Sequence, residues 1–226
     1  MSYDAIVFDM DGVLIEGWGT DPAVYAAAAE RALSELGADA STDRIETLGA
    51  PAYSPAMAGC CRALGIDPEA FWTRRERVAS RLSNERIDRG LRPAYEDVST
   101  LSELADRCAI GVASNNRQAT VAFVVDLLDL PVSAYRGRDP TTAGYRRRKP
   151  DSYYIECVLS ALTAEAGADA ADVEALYVGD RETDVEAAED AGIDSAYLRR
   201  SHNRERTLSL DPTYELSGLD ELLDVV

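Results

Sequence analysis

The sequence predicts an α/β fold in which a doubly wound, Rossmann-like parallel sheet carries an inserted all-helical unit. Short apolar runs rich in β-branched residues alternate with helical patterns, and two of these runs end in aspartates. Such runs are typical of parallel strands that helices cover on both faces. We expect strands near residues 4–9, 108–113, 132–136, 174–179 and 194–199, with helices between them such as 118–128 and 152–162.

The stretch from Glu16 to Gly90 breaks this alternation, because it shows helical patterns only. Asp-Pro pairs favour helix starts and glycines favour helix ends. They predict helices at Pro22–Leu36, around Ile45, at Pro55–Leu64 and at Pro68–Arg86. We therefore divide the chain into a core domain, residues 1–16 and 91–226, and a helical cap domain, residues 17–90, with hinges near 16–19 and 90–93.

The first predicted strand ends in Asp9-Met10-Asp11-Gly12. Side chains alternate along a strand, so we expect Asp9 and Asp11 to point the same way. Gly12 allows a turn that a β-carbon would obstruct. Two carboxylates about 4 Å apart repel by roughly 4 kcal/mol at an effective dielectric of about 20. This repulsion favours a hard cation such as Mg²⁺ between them.

Three later segments supply what such a site needs. Asp180 closes another apolar run, and Asp184 follows one helical turn later. Ser114 and Asn115 end the second strand ahead of a helix, where a hydroxyl and backbone N–H groups bind anions. Lys149 is the single lysine among 23 basic residues, and arginine does not replace its compact ammonium group.

Together these residues resemble the motifs of the haloacid dehalogenase superfamily, in order and in type. The four motifs are matched by Asp9-x-Asp11-Gly12, Ser114, Lys149 and Gly179-Asp180-x-x-x-Asp184. The likeness covers nearly the whole chain and favours the branch with a C1-type helical cap, which includes phosphoglycolate phosphatases and β-phosphoglucomutases. It implies a cap that closes over the site, excludes water and selects the substrate.

The resemblance implies a phosphatase mechanism with three catalytic residues. Asp9 would attack phosphorus to give an aspartyl-phosphate. Asp11 would protonate the leaving alcohol and later activate water. Lys149 would neutralise the nucleophile and the charge that develops during transfer. The substrate class it implies is a small phosphorylated metabolite.

The resemblance also implies a Mg²⁺ cofactor. The ion would be bound by a side-chain oxygen of Asp9, the backbone carbonyl of Asp11, and Asp180, while Asp184 would act directly or from behind these ligands. The phosphate oxygens would be held by Ser114, Asn115 and Gly12.

Two other functions stay open at this point. A phosphomutase with the same type of cap would keep water away from the aspartyl-phosphate, which the sequence does not reveal. A ligand-binding or regulatory protein could keep the fold without turnover, although the complete set of motif residues argues against it. Dehalogenases of the superfamily lack an acid at the position of Asp11, and phosphonate-cleaving members need a cap lysine, which is missing here.

The composition limits the kinds of binding partner and the cellular compartment that we expect for this protein. A formal charge of −18 argues against nucleic acid and anionic membrane surfaces, whose phosphates would be repelled. No secretory signal is visible, and four cysteines, two of them adjacent, do not form a disulfide framework. We expect a cytoplasmic monomer or small homo-oligomer with reduced thiols. Scattered acids and near-absence of lysine lead to the hypothesis of a halophile's cytoplasm, since salt screens self-repulsion.

Four further features of the sequence are candidates for roles around the predicted site. Trp18 and the loop at residues 49–53 are candidates for contact with the leaving group, although flap packing and a simple turn explain them equally well. The basic stretch Tyr135–Arg148 is interpreted as a loop that either attracts anionic substrate to the mouth of the site or offsets local acid, and we slightly favour the second interpretation. His202, the only histidine, lies in a polar stretch after the fifth strand, and we expect it to be exposed to solvent.

Overall fold

The computed structural model describes residues 3–166 and 173–226. Its centre is a parallel sheet of six strands in the order β3-β2-β1-β4-β5-β6. The strands are β1 (Ala5–Phe8), β2 (Ala109–Arg117), β3 (Ala134–Arg138), β4 (Ala175–Gly179), β5 (Asp194–Leu198) and β6 (Tyr214–Leu216). Helices cover both faces, as expected for a parallel sheet with strands buried on both sides. The predicted fold class is confirmed.

Helices occupy the rest of the regular structure in the described residues. They are α1 (Pro22–Glu35), α2 (Thr42–Leu48), α3 (Pro55–Ala63), α4 (Pro68–Asp88), α5 (Thr100–Ala105), α6 (Gln118–Leu127), α7 (Thr142–Arg146), α8 (Tyr153–Ala166) and α9 (Glu182–Asp190). Two short 3₁₀ helices lie at Glu96–Ser99 and Leu219–Asp224.

The helical insertion follows β1 as the sequence predicts. Helices α1 to α4 pack around their own apolar cluster, with Phe71 and Trp72 fully buried. Asp21 and Asp67 cap the N-termini of α1 and α4 by accepting backbone hydrogen bonds, each next to a proline in the first turn. The division into a core and a cap at residues 17 and 90 stays a prediction.

The two linkers of the insertion lie side by side. The Ile15 backbone pairs with Ala94 in an isolated bridge, and Glu16 N donates to Pro93 O at 2.9 Å. The long helix α4 then packs against α6 of the core, where the buried hydroxyl groups of Ser80 and Thr120 lie 2.6 Å apart. The insertion therefore contacts the core both at its linkers and along α4.

The strand boundaries differ from the predicted ones mainly at β2. This strand continues to Arg117 and pairs with β3 through an irregularity between Ser114 and Arg117. Its last four residues are polar, so no apolar pattern marks them as strand. Strand β6 was missed because only three residues pair with β5. The predicted strands at 132–136 and 194–199 lie at 134–138 and 194–198.

Candidate active site

The aspartates that end β1 and β4 meet at the carboxyl edge of the sheet. These two strands are parallel neighbours, and Asp9 N donates to Val178 O at 2.8 Å. The carboxylates of Asp9, Asp180 and Asp184 offer oxygens that all lie within 4.8 Å of one another, and all three residues are buried. The structure thus brings together acids that are remote in the sequence, at the edge where open α/β sheets bind ligands.

Lys149 supplies the counter-charge of this acidic cluster. Its Nζ lies 2.6 Å from Asp184 Oδ1, 3.1 Å from Asp9 Oδ1 and 2.6 Å from the hydroxyl oxygen of Tyr177. Burial alone would lower the pKa of Lys149, but Asp184 and Asp9 raise it above its usual value. The group is therefore a buried ammonium ion. Tyr177, which sequence reasoning missed, orients it from β4.

The third carboxylate of the cluster is held from the start of α9. Asp184 Oδ2 accepts hydrogen bonds from the backbone N–H groups of Asp180 and Arg181, at 3.1 and 3.0 Å. Burial, together with Asp9 and Asp180, raises the pKa of Asp184 to about 6, although Lys149 opposes this effect. Burial also raises the pKa of Asp180. Lys149 thus pairs with two of the three buried acids, whereas Asp180 lies beside His202 and Arg181.

The carboxylate of Asp11 points to other partners than expected. Its Oδ1 accepts from Arg92 Nη2 at 2.8 Å, and its Oδ2 accepts from Asn116 Nδ2 at 2.8 Å. The Asp11 side chain therefore lies outside the acidic cluster, and the repulsion that we expected between Asp9 and Asp11 is relieved by these two donors. Sequence reasoning missed both Arg92, on the linker after the helical insertion, and Asn116.

Gly12 adopts a backbone conformation that residues with a β-carbon rarely adopt. Its φ is +83°, and a β-carbon at this position would overlap the carboxylate of Asp180. The turn after β1 therefore needs glycine for its backbone angle and for its close approach to the end of β4.

The exposure predicted for His202 is wrong. The side chain is only 11% exposed, and its Nε2 lies 2.6 Å from Asp180 Oδ2. The ring of Trp18 packs on it edge-on at 4.8 Å between centroids. Asn203 donates to the backbone carbonyl of Asp180 at 2.8 Å. The polar loop after β5 folds back onto the acidic cluster, so its histidine is not free in solvent.

Ser114 and Asn115 belong to β2 rather than to a helix cap. Ser114 is buried and its Oγ accepts from Asn116 N at 3.2 Å. The Asn115 side chain bonds the backbone of Lys149 on both sides: Oδ1 accepts from Lys149 N at 2.8 Å, and Nδ2 donates to Lys149 O at 3.2 Å. Asn115 thus fixes the position of the lysine.

A cavity of about 280 Å³ opens beside these residues. Asp9, Ser114 and Lys149 line its floor, while Trp18 and Ala52 come from the insertion and its linker. The stretch Tyr135–Arg148 is not the loop we expected, because it contains β3 and α7, and Arg138 and Arg148 line the cavity. The contact of Trp18 and the 49–53 loop with a leaving group stays a prediction.

Comparison with known proteins assigns the family. The family described as haloacid dehalogenase-like hydrolase matches residues 3–192. This chain belongs to that family. It is therefore a hydrolase, as the motifs predicted, and the matched region spans the helical insertion and the strand ends that carry Asp9, Lys149 and Asp180.

Individual relatives are consistent with this assignment. A phosphoglycolate phosphatase from Rhodospirillum rubrum is 29% identical over 213 residues, covering 91% of this chain and 83% of that protein. The fold is similar to that of CbbY from Rhodobacter sphaeroides, solved in complex with phosphate, with a TM-score of 0.63, 18% identity and coverage of 97% and 96% of the two chains.

A HAD-superfamily hydrolase of subfamily IA from Geobacter sulfurreducens has the same fold. It aligns with a TM-score of 0.56 and 20% identity over 100% of both chains. These two structures support the fold alone. Within the described residues, no helix has the length and apolar character needed to cross a membrane.

Proposed function

We propose that this haloacid dehalogenase-like hydrolase is a Mg²⁺-dependent phosphatase for small phosphomonoesters. The observation that carries the proposal is the placement of Lys149 between Asp9 and Asp184, beside Asp180, on the floor of one cavity. Phosphoryl transfer needs mainly a positioned nucleophile and compensation of charge, and this arrangement offers both. The similarity to a Rhodospirillum rubrum phosphoglycolate phosphatase supports the reaction class.

Asp9 is the proposed nucleophile. One of its carboxylate oxygens forms a bond to phosphorus while the bond from phosphorus to the ester oxygen breaks, which leaves an aspartyl-phosphate and an alcohol. Water then attacks that phosphorus, which releases inorganic phosphate and restores the carboxylate. Lys149 stays protonated because of its buried acidic partners and offsets negative charge throughout.

Asp11 is the proposed proton carrier. It gives a proton to the departing alkoxide oxygen and later takes one from the attacking water. Both its oxygens accept hydrogen bonds from N–H donors, Arg92 and Asn116, a pattern that suits the ionised form. This arrangement fits the second half of the reaction, in which Asp11 takes a proton from water. In the first half Asp11 must carry a proton, so either Arg92 or Asn116 must give up its hydrogen bond to one Asp11 oxygen.

The donor set fits Mg²⁺. Hard cations prefer carboxylate oxygens, and Asp180 Oδ1 is buried without a hydrogen-bond partner among the described residues. Asp9, Asp180 and the Asp11 carbonyl are the proposed ligands. Asp184 is assigned the supporting role, because its two oxygens are already engaged by Lys149 and by backbone N–H groups. A bound Mg²⁺ supplies positive charge to the carboxylates and to the phosphoryl oxygens.

The phosphoryl group is proposed to lie against the end of β2. Ser114 Oγ and the Asn115 backbone N–H are the candidate donors, whereas the backbone N–H of Gly12 already donates to Ile15 O at 2.8 Å. In this arrangement the Asn115 side chain acts on Lys149 and only its backbone is available to the substrate.

The test is release of inorganic phosphate from p-nitrophenyl phosphate in the presence of Mg²⁺. Asp9→Asn should lower kcat by at least about 10³-fold while the melting temperature stays near that of the wild type. Asp106→Asn, at an exposed aspartate after α5, is the matched control and should keep full activity. Turnover by Asp9→Asn near the wild-type rate would refute the nucleophile. A phosphomutase would instead interconvert sugar phosphates without releasing phosphate.

A further inference from the structure

A buried cluster of charges lies between the helical insertion and the core. Glu76 of α4 is fully buried and pairs with Arg75 Nη2 at 2.7 Å and with Arg117 Nε at 3.0 Å. It also pairs closely with Arg138 of β3. Three guanidinium groups therefore surround one carboxylate, and none of the four side chains is more than 5% exposed.

All four groups of this cluster are charged. Burial would raise the pKa of Glu76, but Arg117, Arg138 and Arg75 together lower it to about 2. Arginine keeps its proton under such conditions, so the cluster carries two positive charges in excess. Uncompensated buried charge is costly. An excess of this sign is also unexpected in a chain whose formal charge is −18.

Hydrogen bonds to neighbouring groups engage only some of the N–H donors of these arginines. Arg75 Nη1 donates to the carbonyl oxygens of Leu48 and Ala50, at 3.2 and 2.5 Å, which fixes the loop between α2 and α3. Arg138 Nε donates to Asn115 O at 2.9 Å, but its Nη1 is buried without a hydrogen-bond partner among the described residues. Arg138 thus retains unused donor capacity.

The same arginines line the cavity that contains Asp9. Arg117 and Arg138 contribute to its wall, and Arg148 joins them from the residue before Lys149. The Arg148 guanidinium stacks on the ring of Tyr145 at 3.7 Å and has no carboxylate within 4.0 Å in the part of the chain that the structure describes. One cavity therefore holds the proposed nucleophile and three arginines. Arg117 is held by Glu76 and by Thr20 Oγ1 at 3.0 Å, whereas Arg138 Nη1 and the Arg148 guanidinium have no carboxylate partner among the described residues.

We propose that Arg117, Arg138 and Arg148 form a second anion-binding subsite. Its ligand is a carboxylate or a second phosphate on the alcohol part of the substrate. This inference rests on the proposed function, and it narrows the substrate to a phosphomonoester that carries another anionic group on a short carbon chain. The cavity of about 280 Å³ lies at the lower end of ligand pockets, which sets the short length.

The experiment compares pairs of esters on the same carbon chain, in which one member carries a second anionic group and the other a neutral group in its place. Phosphate release is measured with the phosphate ester of glycolate and with that of its amide, and then with the bisphosphate and monophosphate of propane-1,3-diol. Wild-type kcat/KM should be about 10- to 100-fold higher for the anionic member of at least one pair, since hydrogen bonds to charged groups have that effect. The preferred pair distinguishes a carboxylate from a second phosphate.

Substitutions test whether the arginines cause the preference for the anionic ester. Arg138→Gln and Arg148→Gln should each reduce the anionic-to-neutral ratio of kcat/KM at least about 10-fold. Arg136→Gln is the matched control on the same strand, because Arg136 pairs with Asp139 and should leave the ratio unchanged. If Arg138→Gln fails to fold, Arg148→Gln decides, since Arg148 is partly exposed and pairs with no acid among the described residues.

The outcomes separate the two proposals. Equal kcat/KM within both pairs, or a preference that survives both variants, would overturn the subsite while the phosphatase stands. Absence of phosphate release from every ester would refute the proposed function. In that case binding of malonate tests the subsite without turnover. Malonate should raise the melting temperature of the wild type more than that of Arg148→Gln, and an equal shift in both would overturn the inference.

Discussion

Gly12 and Asp180 lie against each other with no room for a β-carbon between them. The contact joins the turn after β1 to the end of β4, so it fixes the distance between the two strand ends that carry acids. Gly12→Ala should lower the free energy of unfolding by more than about 1 kcal/mol and should also lower kcat, because Asp180 must move. Denaturant unfolding and phosphate release measure the two effects.

Gly37→Ala is the matched control for this substitution. Gly37 also has a positive φ, +70°, but nothing lies within 4 Å of an added β-carbon. It should cost only the backbone strain, about 1 kcal/mol, and leave kcat unchanged. If both variants lose the same stability and keep full activity, the contact between Gly12 and Asp180 has no role in the site.

Mg²⁺ should stabilise the protein against heat. Binding relieves repulsion among buried carboxylates, and a ligand at 100 times its Kd adds about 2.7 kcal/mol to the free energy of unfolding. In a chain of this size, each kcal/mol raises the melting temperature by about 2–4 °C. Asp180→Asn should remove most of the shift, whereas Glu103→Gln, at an exposed position on α5, should keep it. A wild-type melting temperature that does not respond to saturating Mg²⁺ would contradict the acidic cluster as a metal site.

Lys149 should not be replaceable by arginine. Its Nζ fits between Asp9 and Asp184 at 3.1 and 2.6 Å, a space suited to a compact ammonium and too small for a planar guanidinium. Lys149→Arg should lower kcat at least about 10²-fold through loss of aligned charge.

The neighbouring Arg147 provides the control for this substitution. Its guanidinium stacks on Tyr153 at 4.4 Å, outside the cavity, so Arg147→Gln should retain wild-type kcat. Wild-type turnover by Lys149→Arg would show that position 149 needs only a positive charge, which contradicts the geometric argument.

The strand ends of the site could be predicted from the sequence because each follows an apolar run. Asp9 and Asp180 close β1 and β4, and parallel strands place their carboxyl ends at one edge. Lys149 was identified by its residue type, since it is the only lysine. These signals are local in the sequence. The expected parallel arrangement of the strands then predicts that the residues lie close together in space.

The partners that approach from elsewhere could not be predicted in this way. Arg92 reaches Asp11 from a linker, and His202 reaches Asp180 from a loop without periodic pattern. Glu76 looks like one more polar residue on a helix rich in charges, yet it is fully buried. Their positions depend on how the insertion and the last loop pack on the sheet, which residue spacing does not encode.

The buried Glu76 should make stability depend on pH in acid. Its pKa is about 2 in the folded protein and about 4.3 in an unfolded chain. Because the folded pKa is lower, the stabilisation is complete above pH about 4.3 and is lost as pH falls toward 2, by about 3 kcal/mol in all. Glu76→Gln should therefore be most destabilising near neutral pH, and its effect should shrink as pH falls.

Denaturant unfolding of wild type and Glu76→Gln at several pH values between about 2 and 7 checks this prediction. The loss near neutral pH should reach about 3–5 kcal/mol, because three buried guanidinium groups lose their carboxylate. Glu103→Gln, which removes an exposed pair with Arg107, should cost less than about 1 kcal/mol. A difference between wild type and Glu76→Gln that does not change with pH would show that folding leaves the pKa of Glu76 unshifted, which contradicts this prediction.

Salt should stabilise this chain if its charge reflects a saline cytoplasm. The formal charge of −18 creates self-repulsion that favours unfolding, and the Debye length falls from about 10 Å at 0.1 M to about 3 Å at 1 M salt. The melting temperature should therefore rise steadily with KCl, and glycerol at the same osmolality should not reproduce the full increase. The buried cluster around Glu76 is shielded from ions, so the Glu76→Gln variant should show the same slope against KCl as the wild type. Equal stability of the wild type at low and at molar KCl would contradict the halophile hypothesis.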